Sequence, residues 1–355
     1  MNKKWQEYLK SIGNYDTKQN TITFYPTERA TEALEQELTI IPLTQLAFIK
    51  VSGVDAQDFL NGQLTCNLSE LTSAFYIFGA HCSAKGKIQN FYRICHYPND
   101  PSAYLLILQK ETLADSLKLL AKYALFSDVK IEDATQDLSA VCLHGPKLPD
   151  FFKETFELKY DVKSINTVLP AAGAGSILQL RGNTPRALFI APSDNVIQLC
   201  ETKLKKFVKL NSTVWELLEI RAGIPIIYPE LTNTFFPHYL NLPSIDAVSF
   251  NKGCYIGQEV ITRMQFRGKS NKHMHRAFIV KNEPGTLART LVGKDIISVQ
   301  DQNRITVGTV IVCSQTNKEQ FELLAVIHNQ YENFINLFVN SAEEPKLYHL
   351  DLTCG

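Results

Sequence analysis

The residues best suited to chemistry lie together between Phe250 and Gly268, in the run F-N-K-G-C-Y-I-G-Q-E-V-I-T-R-M-Q-F-R-G. Cys254 stands between Gly253 and Gly257, with Lys252 close by. Glycines on either side permit a tight backbone and the close approach of a partner, because they carry no Cβ. A neighbouring ammonium favours the thiolate, the nucleophilic and metal-binding form of cysteine. Gln258 and Glu259 open a helical stretch in which Val260, Ile261 and Met264 face the core. Cys254 therefore precedes a helix N-terminus, whose partial positive charge also favours a thiolate. The plainer alternative is an inert core cysteine, the ordinary fate of a free thiol. The crowding of Lys252, Gln258 and Glu259 around Cys254 weighs for a working one.

Trp215 is the second candidate, one of only two tryptophans. It falls in a helix expected over Asn211 to Gly223, opened by Ser212 or Asn211 and closed by Gly223 with Pro225 beyond. Its default place is the core, but a flat indole also suits a pterin or another heteroaromatic ring. Arg263, Arg267, Lys269, Lys272 and Arg276, with His273 and His275, form a basic stretch after Cys254. Such a stretch meets a polyanion, a tRNA backbone or a polyglutamate tail, or else is a solvated surface. The two histidines share one face of a strand without a third ligand at metal spacing, so no metal site is expected. Ala171 to Gly175 is rich in glycine but lacks dinucleotide or Walker spacing, which makes it a plain loop.

These residues must be positioned by strands and helices that the hydrophobic pattern locates. Leu43 to Val51 reads as a strand ended by Ser52-Gly53, followed by a helix with Asp55 as its N-cap. Ala74 to Ile94 reads as a hairpin whose basic turn is Ser83-Ala84-Lys85-Gly86-Lys87. Tyr104 to Leu108 is a further strand, Glu111 to Tyr123 a helix, and Val129 to Ile131 a strand again. The pattern returns with a strand at Arg186 to Ile190 and a helix capped by Ser193. Two such units imply paired α+β halves of ferredoxin-like type. From Arg276 onward short strands alone follow, at Ala277–Val280, Asp295–Val299, Thr306–Cys313, Phe321–Ile327 and Asn333–Val339, the mark of a small β-barrel or sandwich.

Composition removes several classes of function. The 355 residues carry 36 Lys plus Arg against 36 Asp plus Glu. A net charge of zero argues against a broadly basic nucleic-acid binder, so any link to tRNA is expected to run through the enzymes that modify it. It also removes the electrostatic part of membrane-surface attraction. The eight cysteines are scattered and include no C-x-x-C pair, which excludes the usual zinc and thioredoxin spacings. The first residues are polar with mixed charge, and no apolar run approaches the ~18 residues of a membrane span. A reduced, cytoplasmic protein without membrane partners is expected.

Lys252-Gly253-Cys254-Tyr255-Ile256-Gly257-Gln258-Glu259, followed by Arg263 and Arg267-Gly268, resembles the K-G-C-Y-x-G-Q-E…R…R-G signature of the YgfZ family. Asn61 to Thr65 resembles its G-Q-x-T segment, and His81 to Lys87, with Lys85 and Gly86, resembles its H-C-x-A-K-G-K turn. Trp215 to Pro225 and Phe236 to Phe250 also fit, and the similarity spans about Leu38 to Arg276. An octapeptide is a far more specific signal than a lone glycine motif.

The resemblance implies a fold shared with the tetrahydrofolate-dependent aminomethyltransferase of glycine cleavage: ferredoxin-like α/β lobes around a folate-binding cavity, plus a C-terminal β-barrel. The implied division is a polar lead-in over 1–37, a folate-binding α+β region of two interleaved lobes over 38–275, and a barrel over 276–355. The implied function is a tetrahydrofolate-binding accessory factor for synthesis or repair of iron–sulfur enzymes, including tRNA methylthiotransferases. Cys254 would be the functional thiol and a transient ligand of an iron or sulfur species, with Lys252 supporting the thiolate. Gly253 and Gly257 would shape its turn. Trp215, Tyr255, Gln258, Glu259, Arg263 and Arg267 would serve the folate, the two arginines at its glutamate tail. Folate, iron–sulfur enzymes and cluster carriers would be the partners. The sequence departs from the family's pattern in two places and from the aminomethyltransferase in a third. Leu46 stands where an aromatic is common, and Glu219-Ile220-Arg221-Ala222-Gly223 inverts the common R-x-E-A-G. Gln89 and Asn90 stand where the aminomethyltransferase has a carboxylate, and an amide is no general base. Two other functions remain in view: a folate-dependent one-carbon transferase, and a non-catalytic RNA- or protein-binding module.

Overall fold

The computed structural model describes residues 1–24, 27–161, 166–171, 175–268, 270–280, 288–300, 303–317, 319–333, 336–341 and 346–350. The chain opens with α1 (Lys3–Ile12), the hairpin of β1 (Asn14–Asp16) and β2 (Thr21–Thr23), then α2 (Thr27–Gln36) and β3 (Thr39–Pro42). A first lobe follows, made of β4 (Leu46–Ser52), α3 (Ala56–Gln63), β5 (Ile77–Cys82), β6 (Ile88–Tyr97), β7 (Asp100–Gln109), α4 (Leu113–Tyr123) and β8 (Lys130–Asp133). A second repeats it with β9 (Leu138–His144), α5 (Leu148–Phe156), β10 (Val168–Ala171), β11 (Gly175–Leu180), β12 (Arg186–Pro192), α6 (Ser193–Thr202) and β13 (Val208–Lys209).

The repeat extends to topology. The first sheet runs β5-β6-β7-β4-β8 and the second β10-β11-β12-β9-β3-β13. Each is a ferredoxin-like order with an extra edge strand, and the second admits β3 from before the first lobe. The insertion of β3 interlocks the lobes, since the chain must leave the second sheet to build the first. It also divides the strand expected over Leu43 to Val51: Ile41 pairs with Cys142 in one sheet and Phe48 with Ile107 in the other. Leu43, between them, is buried but belongs to neither strand.

Both faces of each sheet are covered, so the strands read as nearly continuous apolar runs. Along β4, Leu46 and Phe48 enter the central core while Ala47, Ile49 and Val51 pack under α3 and α4 with Phe59, Leu60 and Leu120. Along β9, Ala140 and Cys142 face the central core, and Val141 and Leu143 face an outer one. That outer core contains Trp5 and Leu9 of α1. Helix α1 and Ile22 thus cover the second lobe, while Ala30, Ala33 and Leu34 of α2 enter the central core. Two expected caps are used otherwise: the Asp55 carboxylate accepts from the Asp128 amide, and Ser193 Oγ meets Ser139 Oγ.

Beyond the lobes come α7 (Val214–Arg221), three 3-10 turns at Pro229–Leu231, Pro237–Leu240 and Leu242–Ile245, and α8 (Gln258–Arg267). The barrel comprises β14 (Lys272–Val280), β15 (Asp295–Gln300), β16 (Asn303–Gln315), β17 (Gln320–His328), β18 (Leu337–Val339) and β19 (Leu347–Leu350). Its order is β18-β15-β16-β17-β14-β19, and a bridge between Phe338 and Lys346 joins the two edges. The barrel begins at Lys272, taking in residues 272–275 that the sequence reading leaves to the preceding region. Its strand β19 is absent from that reading. Among the described residues no helix is long and apolar enough to cross a membrane.

Candidate functional site

Two motifs separated in sequence meet at the start of α8. Gly257 caps the helix with φ +82°, and a Cβ there would stand 2.5 Å from the Ser83 carbonyl oxygen and 3.0 Å from Gly86 Cα. Gly86, at φ +71°, would in turn drive a Cβ to 3.1 Å from Val260 Cβ. Only glycine suits both positions, because each combines a left-handed backbone with a close neighbour. The 83–87 turn is itself closed by hydrogen bonds from Ser83 N to Lys87 O (2.8 Å) and from Gly86 N to Ser83 O (2.8 Å). Tyr255 is buried in the central core, and the Ile256 amide donates to Gly62 O at 3.2 Å. Ile261 is buried, whereas Val260 and Met264 are only half-buried, a shallower seat than the helical spacing predicts.

Cys254 is exposed, while Cys66, Cys82, Cys95, Cys142, Cys200 and Cys313 are buried. Cys354 lies outside the described residues. Cys254 borders a polar groove of about 450 Å³ shared with Asp58, Asn61, Asn67, Ser69 and Lys252. Gly253 contributes by its lack of a side chain: a Cβ there would meet nothing within 4 Å. Gly253 is thus not needed for the turn, contrary to expectation, and only leaves the groove open.

Lys252 plays a different part from the one expected of it. Its ammonium donates to Asn61 O at 2.7 Å, Leu64 O at 2.9 Å and also to Cys66 O. An ammonium has three N–H donors, so none remains for the Cys254 thiolate. The ammonium instead binds carbonyls at the C-terminal end of α3, where the helix leaves acceptors unpaired and its dipole favours a cation. Burial lowers the Lys252 pKa to about 8. Lys252 fixes the Cys254 loop to α3.

A second site lies where the lobes meet α7. Trp215 is fully buried, with the guanidinium carbons of Arg93 at 5.1 Å and Arg186 at 5.8 Å from its ring centre. One turn on, Glu219 accepts from Arg186 Nη1 at 2.8 Å and from Arg93 Nη2. Arg93 comes from β6, Arg186 from β12 and Glu219 from α7, so one carboxylate joins both sheets and the helix between them. Arg93 Nε, Arg186 Nη2 and Tyr76 OH are buried without a hydrogen-bond partner. Leu46, Phe91, Arg93, Gln109, Trp215 and Ile226 are among the walls of a cleft of about 30 Å³. Tyr255, Gln258, Glu259, Arg263 and Arg267 do not line it. Gln258 is half-buried and Glu259, Arg263 and Arg267 are exposed on α8.

The inverted motif on α7 is accounted for by its partners. Arg221 reaches Glu322 of β17 at 2.8 Å, and Arg276 of β14 reaches the same carboxylate at 2.6 Å. Glu219 serves the lobes and Arg221 the barrel. Sequence reasoning missed the roles of Arg93, Arg186 and Glu219; Arg93 alone gave a signal, as the single charge of an apolar strand, the mark of a buried pair. Asn90, one of the two amides on β6, is buried and donates to Thr112 Oγ1 (3.0 Å) and Ser116 Oγ (2.9 Å). No group of residues suited to hold a metal ion occurs among the described residues.

No family model matches the sequence. It is 31% identical over 294 residues to the tRNA-modifying protein YgfZ of Colwellia psychrerythraea, covering 82% of this chain and 86% of that protein. It is 30% identical over 310 residues to the tRNA-modifying protein YgfZ of Buchnera aphidicola, covering 86% and 91%. The crystal structure of the glycine cleavage system aminomethyltransferase T from Bartonella henselae superposes with a TM-score of 0.75. It covers 97% of this chain and 95% of that one at 12% identity, so the fold is the one the octapeptide's resemblance implies.

Proposed function

Taking as premise that this chain belongs to the YgfZ family, we propose that it is a tetrahydrofolate-binding accessory factor in tRNA modification, acting through the synthesis or repair of iron–sulfur enzymes such as tRNA methylthiotransferases. The observation that carries this reading is the division of labour between an exposed thiol in an open groove and an aromatic cleft at the centre of the fold.

The cleft's chemistry suits a pterin. Phe91 and Trp215 are aromatic walls, and Arg93, a third wall residue, has a buried Nε donor in want of an acceptor. The volume of about 30 Å³ is that of roughly one water in the liquid, so a bound ring must part the walls. Tetrahydrofolate bound there would supply a one-carbon carrier. The chain's own residues would bind and orient it and exclude water.

A one-carbon transferase is the weaker reading. Glu219 is the carboxylate in the cleft wall, and both its oxygens already accept from guanidinium groups. On β6, Gln89 and Asn90 stand where the aminomethyltransferase is expected to have a carboxylate, and an amide is no general base. The Cys254 thiol is the better candidate for chemistry, as a transient ligand of an iron or sulfur species delivered by or to a client enzyme. The test is the fraction of methylthiolated tRNA in cells whose only copy carries Cys254→Ala. The fraction should fall at unchanged protein level; a wild-type fraction would remove the thiol from the account.

A further inference from the structure

The outer face of α8 and the elements packed against it form a surface that the folate and thiol reading leaves unused. Arg263, Phe266 and Arg267 lie on one side of the helix and are exposed, Phe266 by 69%. Gln265 Oε1 meets His238 Nε2 at 3.0 Å, which fastens α8 to the Pro237–Leu240 turn. The Gly86–Gly257 contact places the 83–87 turn against the helix start, bringing in Lys85 and Lys87. Lys87 Nζ lies 3.7 Å from the Phe236 ring centre, with the Tyr239 ring edge-on to Phe236 at 5.3 Å. Lys272 opens β14, which Asn241 at the end of the Pro237–Leu240 turn fastens by donating to Met274 O at 2.8 Å.

Arg263, Arg267, Lys85 and Lys272 form no ion pair among the described residues, unlike Arg221 and Arg276. Glu259 is the single carboxylate on α8. A large exposed aromatic beside unpaired cations departs from ordinary surface composition, where charges of both signs are mixed. Phe266 is held edge-on by Phe250, with ring centres at 5.8 Å, which leaves it a fixed platform.

We propose that this face binds RNA at a single-stranded loop, the four cations holding successive phosphates and the Phe266 ring stacking an unpaired base. An acidic peptide or polyglutamate would satisfy the cations but leave Phe266 without purpose. A duplex offers no unstacked base for the ring. The net charge of zero conceals this face because it sums over the whole chain, whereas α8 carries a single carboxylate. This proposal does not depend on folate binding or on Cys254.

The test is fluorescence anisotropy of the full chain with a fluorescein-labelled stem-loop RNA across a salt series. Four phosphate contacts on single-stranded RNA give a slope of log K against log salt of roughly −3, which Arg263→Gln with Arg267→Gln should reduce to about −1.5. Phe266→Ala should weaken binding about five- to a hundredfold with the slope unchanged, and Phe266→Tyr should restore it. Binding that ignores Phe266→Ala, equal competition by poly-glutamate or by fully duplex RNA, or the absence of binding at low salt would each overturn the proposal. Retained thermal melting of the variants, all altered at exposed positions, excludes misfolding as the cause.

Discussion

A Cβ on Gly257 would stand 2.5 Å from the Ser83 carbonyl oxygen on a backbone held at φ +82°. Gly257→Ala is therefore expected to cost about 1–3 kcal/mol, the usual strain of a non-glycine residue in the left-handed region, with backbone crowding added. Gly253→Ala, facing open space, should leave urea unfolding within about 0.5 kcal/mol of wild type. The two glycines look alike in sequence, since a motif records residue type but not φ or the neighbour across the turn. Lys252 shows the same limit. Its nearness to Cys254 in sequence points to thiolate stabilisation, but its donors go to three carbonyls contributed by distant positions. Lys252→Met leaves those carbonyls unpaired and is expected to cost about 1–3 kcal/mol in the same assay.

Strand β5 and the turn after it carry a motif histidine that the structure buries. His81 has no hydrogen-bond partner at either ring nitrogen, and burial lowers its pKa to about 4 from 6.5. The folded state thus holds a neutral imidazole that the unfolded chain protonates below pH 6.5. Its contribution to stability is fully present above that pH and is lost as pH falls toward 4, by about 3 kcal/mol at ~1.4 kcal/mol per pH unit. His81→Gln should flatten the acid limb of a stability–pH curve between pH 6.5 and 4, and an unchanged limb would contradict the burial of a neutral ring. Strands and helices were largely legible at this scale because their apolar periodicity is local. The split between β3 and β4 was not, since only Thr44 and Gln45 interrupt the apolar run where the chain changes sheets. The short strand β19 lay beyond reach for another reason: its pairing with β14 is non-local, Phe278 opposite Tyr348.

At the scale of the molecule, two repeats of one topology are joined by a buried charge triad and continued into a barrel by a second. Glu219→Gln would leave Arg93 and Arg186 buried without a countercharge and is expected to cost about 3–5 kcal/mol, measurable as a lowered urea midpoint. Arg221→Gln, which removes the partly exposed partner and leaves Glu322 paired with Arg276, should cost less and loosen the barrel from α7. The octapeptide made the Cys254 loop and the overall architecture readable, but the triad needs one residue from each of three distant segments. Only the apolar surroundings of Arg93 in sequence hint at it. The cleft beside Trp215 is proposed to take tetrahydrofolate. Isothermal calorimetry of tetrahydrofolate against the wild-type protein and Glu219→Gln, with Trp215 fluorescence followed in parallel and Trp215→Phe as the control for Trp5, tests it directly. Saturable heat with matching quenching that disappears in Trp215→Phe, and binding altered in Glu219→Gln, is the predicted result; no saturable heat in the wild-type protein would contradict it.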